Sequence, residues 1–341
     1  MTAVAPPRPF AGAATGIGSW PGSDPREAAA TVVGELPALP HLVELPDRGV
    51  GADLLGRTGA LLVDLYFDTT TRGYRLAARP GAAARRAHSL LREDLDALEE
   101  AWETAGLRGG VVKVQAAGPL TLAAQVELAG GHRALTDRGA VRDFAESLAE
   151  GLGRHRDEVA RRLGAEVVVQ LDEPSLPAVL AGGLSGVSRL DTVPAVPEPE
   201  ALAVLDAVIA GVGGPVGVHC CAAGVPWDLL RRSHADAVLV DLAHVDAAAL
   251  DGIGEFLDSG ADLVLGLIPT KAPTPAPTWR DAAAPALTLL DRVGFPRTVL
   301  RERVGVSPAC GLGRAAPAWA RTCLRLAGEV ARAFAEDPES L

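Results

Sequence analysis

Hydrophobic positions along the chain fall into two alternating kinds of stretch. Short β-type runs, several of them continuous valine and leucine, occupy residues 14–20, 42–46, 111–119, 166–174, 215–222, 237–242, 262–269 and 304–311. Several lack polar alternation, the pattern of strands covered on both faces. Between them lie longer stretches with apolar residues at helical spacing, clearest over 81–106, 138–163, 199–211 and 281–293. A strand–helix order repeated through the chain predicts an α/β protein, a single-domain (β/α)8 TIM barrel over residues 13–336 with a disordered N-terminal tip at 1–12. An open doubly wound sheet is the competing architecture. No glycine-rich phosphate loop follows the first run, which counts against dinucleotide binding. Two proline-rich segments, 192–200 and 269–277, read as loops over one end of the barrel. The second directly follows a strand and is placed to act as a lid.

Functional residues of such a barrel sit at the C-terminal ends of its strands. Those ends carry Ser19, Glu44 or Asp47, Gln115, Asp172, Glu173, His219, Cys221, Asp241, Lys271 and Cys310. Three pieces stand out: Gly217-Val218-His219-Cys220-Cys221, Val238-Leu239-Val240-Asp241 and Ser307-Pro308-Ala309-Cys310-Gly311. His219 and Cys221 are two apart, so on a strand they share a face and Cys220 takes the other. Two thiolates, an imidazole and a carboxylate at one sheet end compose a tetrahedral zinc site. Soft thiolate ligands favour zinc over magnesium or calcium. Such an electron-rich zinc suits the holding of a nucleophilic substrate thiolate better than hydrolysis, because coordination deprotonates a thiol outright.

Composition narrows the picture. The 341 residues are 48% hydrophobic, and no run approaches the roughly 20 apolar residues that span a bilayer. The first ten residues lack the charged start and apolar middle of a signal peptide, which points to a cytoplasmic protein with no membrane partner. A net charge of −11 without a basic stripe argues against nucleic acid. Four cysteines in so long a chain are no disulfide scaffold. Cys323 lies in a helical pattern and reads as core. Arginine has displaced lysine almost completely, leaving only Lys113 and Lys271.

From near residue 16 to the C-terminus the chain resembles the catalytic C-terminal half of cobalamin-independent methionine synthase, within the group that includes uroporphyrinogen decarboxylase. The resemblance is carried by Ile17-Gly18-Ser19-Trp20-Pro21, Gly118-Pro119-Leu120-Thr121, Gln170-Leu171-Asp172-Glu173-Pro174, His219-Cys220-Cys221, Asp241 and Pro308-Ala309-Cys310-Gly311-Leu312. It implies zinc held by His219, Cys221, Asp241 and Cys310, and methyl transfer to homocysteine. Ser19, with the backbone of Ile17 and Gly18, resembles the segment that holds the amino-acid carboxylate. Asp172 resembles the carboxylate that receives the ammonium group; its other reading is a loop cap before Pro174.

The chain also departs from that family. Asp241 replaces the usual glutamate, with His244 as an alternative ligand, and Ala309 and Gln125 replace an aspartate and an aromatic. The family's catalytic histidine after the seventh strand has Lys271 near its place, as a proton donor, an anchor for a donor's anionic group, or a solvated loop lysine. The full enzyme has a second, N-terminal barrel that helps bind folate and that this sequence does not include. Two alternatives follow: a thiol methyltransferase that uses a corrinoid or other donor, and an inactive binder of zinc and small thiols. A metal-free, decarboxylase-like protein is disfavoured by His219, Cys221 and Cys310. Trp20 and Trp227 read either as pocket walls or as core.

Overall fold

A computed structural model describes residues 8–186 and 192–341. Its centre is a six-stranded, all-parallel half-barrel sheet: β3 Val111–Ala117, β4 Glu166–Asp172, β5 Val216–Cys220, β6 Ala237–Asp241, β7 Asp262–Ile268 and β8 Val304–Pro308, paired in chain order. β1 Tyr66–Thr70 and β2 Gly73–Ala77 form a separate antiparallel hairpin. All six strands of this sheet are buried at all or all but one position, since helices cover one face and side chains fill the other. The long crossover helices are Ala82–Thr104, Arg138–Leu163, Glu198–Val212 and Trp279–Val293, each close to its sequence expectation. Helices Pro25–Glu35 and Pro317–Glu336 complete the outer layer. Among the described residues no helix is long and apolar enough to cross a membrane.

Two expected strands take another form. Residues 14–20 and 42–46 form no ladder of their own; they are extended segments joined by single bridges. Ala14 bridges Val306 of β8, Ser19 bridges Glu44, and His41 bridges Lys113 of β3. The segments therefore span the two sheet edges in place of regular first and second strands. Glycine explains why: Gly16 lies against the His41 ring so closely that a Cβ would sit 2.2 Å from it, and Gly18 has φ +156° with Gln115 packed over it. Both positions bring the backbone against a neighbouring side chain, an approach only glycine permits. The hairpin at 66–77 was not expected, because its half-exposed residues carry no apolar run.

Part of the tip expected to be disordered at 1–12 is packed onto the fold. Residues 1–7 lie outside the described residues, but Phe10 is 1% exposed and Arg8 pairs with Asp262 at 2.6 Å. Phe10 packs with Ile17, Val168, Leu239 and Val264 into an apolar plug on the inner face of the sheet. Polar residues occupy the same face nearer the C-terminal strand ends.

A buried ion cluster braces that end from outside. Asp94 is fully buried and pairs with Arg48 at 2.5 Å and with Arg57, whose Nε lies 4.0 Å from Glu44 Oε1. Asp94→Ala would remove the buried carboxylate that both guanidinium groups share, leaving only the more distant Glu44 and Glu93. We expect it to cost about 3–5 kcal/mol of stability, measured by urea unfolding. A loss under about 1 kcal/mol would show that water takes over the pairing.

Candidate metal and substrate site

Strand register builds the first half of the site. Asp172, last on β4, is the register partner of His219 on β5, so both side chains stand together on the inner face. His219 Nδ1 lies 2.6 Å from Asp172 Oδ1, and Gln170 Nε2 donates to the same oxygen at 2.8 Å. The second half comes from loops. Cys221 follows the end of β5, and Cys310 lies just past β8. Their Sγ atoms are 3.3 Å apart. The ligating atoms of His219, Cys221 and Cys310 all fall within 4.8 Å of one another. Cys220, at 0% exposure, is core, as the two-residue period requires.

Electrostatics mark this cluster as a place for positive charge. His219 Nε2 is buried with no hydrogen-bond partner, although Nδ1 is engaged by Asp172. Burial works against an imidazolium here, but Asp172 and Cys310 outweigh it and raise His219 to about 9. The hydrogen bond between the two thiols, helped by His219, pushes Cys310 well below the ordinary thiol range, and Cys221 moves up as its proton-holding partner. The two sulfurs titrate as one coupled pair, with the thiolate favoured on Cys310. Cys220 and Cys323, buried without such neighbours, are pushed up to about 12.

The cluster opens into a pocket of about 890 Å³ whose walls include Ile17, Gly18, Ser19, Glu44, Asp172, His219, Cys221, Lys271 and Cys310. Seven of the strand-end residues singled out by sequence, Ser19, Glu44, Asp172, His219, Cys221, Lys271 and Cys310, therefore meet at one place. Ser19 is tied to the Cys310 loop: Leu312 N donates to Ser19 O at 2.8 Å, and Gly313 N donates to Ser19 Oγ at 3.2 Å. Glu44 accepts from Gln115 Nε2 at 3.0 Å, and burial raises it to about 7 despite Arg57. Lys271, with Thr270 and Ala272 from the expected lid, sits exposed at the rim.

Other expected residues lie elsewhere. Asp241 does not join the cluster. Its Oδ1 accepts from Ala243 N at 2.9 Å, capping the short turn Leu242–His244, and its Oδ2 lies 3.5 Å from His244 Nδ1. That same His244 nitrogen lies 2.8 Å from Cys221 O, so His244 supports the backbone at Cys221. Asp47 accepts from Gly22 N at the surface. Trp20 belongs to the core, and Trp227 packs edge-on against Phe256 at 5.8 Å.

Sequence reasoning missed Arg314 and Trp319 on the pocket wall, and Trp319 Nε1 donates to Pro269 O at 3.0 Å. It also missed the polar layer beneath the site. Lys113 Nζ donates to Gln170 Oε1 at 2.8 Å and to Ile17 O at 3.1 Å. Alternation along β3 and β4 was the available signal, because residues 113, 115, 170 and 172 all fall on the inner face.

Seen from the site upward, the protein is an α/β enzyme with a small-molecule pocket and an imidazole–dithiol cluster at its strand ends. Residues 12–333 match the family model described as the catalytic domain of cobalamin-independent synthase. The chain belongs to that family, the cobalamin-independent methionine synthases, and is a methyltransferase. Its fold is similar to that of a B12-independent methionine synthase from Shewanella sp. W3-18-1 in complex with selenomethionine, with TM-score 0.61 and 13% identity over 97% of this chain and 100% of that one. It is also similar to a methyltransferase from Methanosarcina mazei, with TM-score 0.56 and 15% identity over 96% of this chain and 93% of that one. No curated protein sequence matches the chain.

Glu173 separates framework from chemistry. It is fully buried, and its oxygens accept from Leu120 N, Thr121 N and Thr121 Oγ1 at 2.7–2.9 Å, pinning the Gly118-Pro119-Leu120-Thr121 turn. Glu173→Ala strands these donors in the interior. We expect a loss of about 3 kcal/mol or more by urea unfolding. The exposed Lys271→Ala should change stability by less than about 0.5 kcal/mol in the same measurement.

Proposed function

We propose that the protein methylates the sulfur of homocysteine to give methionine, with a zinc ion held by His219, Cys221 and Cys310. The observation that carries the reading is the convergence of these three ligating atoms within 4.8 Å in the same pocket as Ile17–Ser19 and Asp172. The residues fit the ion: His219 Nε2 is buried and unpartnered, and the facing sulfurs lie 3.3 Å apart, with Cys310 pushed toward its thiolate by its neighbours. Three protein ligands with a position left for substrate is the pattern of catalytic zinc. When bound, zinc supplies the Lewis acidity that keeps the substrate sulfur a thiolate near neutral pH. Asp241 then supports the turn beside the site, with His244 fixing the Cys221 carbonyl.

The remaining work falls to the chain. Asp172 receives both of its hydrogen bonds on Oδ1, which leaves Oδ2 for the substrate ammonium group. Ile17, Gly18 and Ser19, held against the Cys310 loop, take the carboxylate end. With both ends of the amino acid fixed, the sulfur lies toward Cys221 and Cys310. Its lone pair forms the new bond to the methyl carbon as the bond from carbon to the donor breaks, and the electron pair leaves with the donor. Holding the two reactants in line removes the entropic part of the barrel-mouth encounter. Lys271 and Arg314 place positive charge at the rim, where it can meet an anionic group of the donor. Within this reading residues 13–336 form one (β/α)8 catalytic domain, its first two positions taken by the bridged segments at 14–20 and 42–46.

Two measurements test the reading. Zinc content and chelator competition should show one zinc per chain. Cys221→Ala and Cys310→Ala should each weaken it by about 100-fold or more, with Cys220→Ala close to the parent. Equal losses in all three variants would refute the assignment of ligands. Second, zinc-loaded protein incubated with homocysteine and 5-methyltetrahydrofolate should yield methionine by mass spectrometry. Asp172→Asn should raise KM for homocysteine at least about tenfold, as the loss of a charge-assisted contact requires. Methionine formed only from methylcobalamin would replace the folate donor, and no product from either donor would reduce the protein to a thiol binder.

A further inference from the structure

We propose that Lys113 is a positioning residue that sets both halves of the substrate site by acting through Gln170; the proposal rests on the zinc reading above. Lys113 is 0% exposed and does not line the pocket, and neither does Gln170. It stands in register with Val168, at the edge of the apolar plug. A leucine or methionine would fill this space without burying a polar group. The amine is therefore kept for its hydrogen bonds.

Those bonds fix an orientation. Gln170 Nε2 donates to Ile17 O and to Asp172 Oδ1, both at 2.8 Å. A backbone carbonyl can only accept, so the amide nitrogen must face Ile17 and the amide oxygen must face Lys113. Lys113 Nζ meets that oxygen at 2.8 Å and also reaches Ile17 O at 3.1 Å. One ammonium group thus clamps the carbonyl of the Ile17-Gly18-Ser19 segment and holds the amide that holds Asp172. Asp172 in turn orients His219, whose ligating nitrogen lies within 4.8 Å of the two thiol sulfurs. The relay runs along one sheet face, through residues 113, 170, 172 and 219 of three adjacent strands. An apolar side chain at 113 would strand Gln170 Oε1 in the interior and free the amide to rotate.

The test uses the full chain, with zinc affinity read by chelator competition and folding by circular dichroism. Lys113→Met and Gln170→Leu should each weaken zinc about tenfold or more, the usual effect of losing a partner that orients a ligand. The double variant should lose no more than the weaker single variant, because both break one relay. Cobalt(II) in place of zinc should show a shifted ligand-field band in Lys113→Met as the imidazole reorients. Product methionine should bind more weakly in the same variants, since Ile17 is released. Gln170→Glu keeps an acceptor for Lys113 but removes both donors, and carries the same expectation should Lys113→Met fail to fold. Zinc affinity within twofold of the parent in the folded variants, or losses that multiply in the double variant, would overturn the proposal. A parent chain that binds no zinc would overturn the functional reading along with it.

Discussion

The hydrogen bond between Asp172 and His219 organises the site. An imidazole has two nitrogens, and committing Nδ1 to a carboxylate leaves Nε2 as the atom that can meet a metal. The bond also locks the ring plane, because Asp172 is itself held by Gln170. Strand register supplies the pairing: Asp172 and His219 are partners across β4 and β5, so the backbone ladder sets them side by side. The thiols come from less regular chain, and the fold fastens them separately. His244 meets the carbonyl of Cys221, and Ser19 meets the loop that follows Cys310.

Burying so many ionisable groups in one place is costly, and the arrangement shows how the cost is contained. Glu44, Lys113, Asp172, Glu173 and His219 are all nearly inaccessible. Each is hydrogen-bonded to a named partner, and donors and acceptors alternate from Lys113 through Gln170 and Asp172 to His219. In a low-dielectric interior such partners strengthen one another, whereas a single missing partner is expensive. Burial lowers Lys113 to about 7 and raises Glu44 to about 7, so both remain poised near neutrality. Phe10, Val168, Leu239 and Val264 close the opposite end of the inner face with apolar packing. The polar layer is thereby confined to the strand ends where the pocket opens.

Much of this was legible in sequence, for a physical reason. Continuous valine and leucine runs mark strands covered on both faces, and six of the eight expected strands are regular. The two-residue period alone separated Cys221 from Cys220. The first two runs misled because Gly16 and Gly18 permit close approach instead of a ladder, which composition does not reveal. Asp241 misled for a different reason: the chain turns immediately after β6, and its carboxylate caps that turn. The partnership of Asp172 with His219 was out of reach, since register between strands 47 residues apart depends on the intervening helices. The same limit hid Gln170, whose role exists only once Ile17, Lys113 and Asp172 surround it.

X-ray absorption at the zinc edge tests the central claim most directly. The account predicts one nitrogen and two sulfur ligands from the protein, with zinc–sulfur distances of about 2.3 Å, and one further sulfur when homocysteine is added. With selenohomocysteine, that added ligand should appear as selenium. A zinc shell without two sulfurs, or one that homocysteine leaves unchanged, would contradict it.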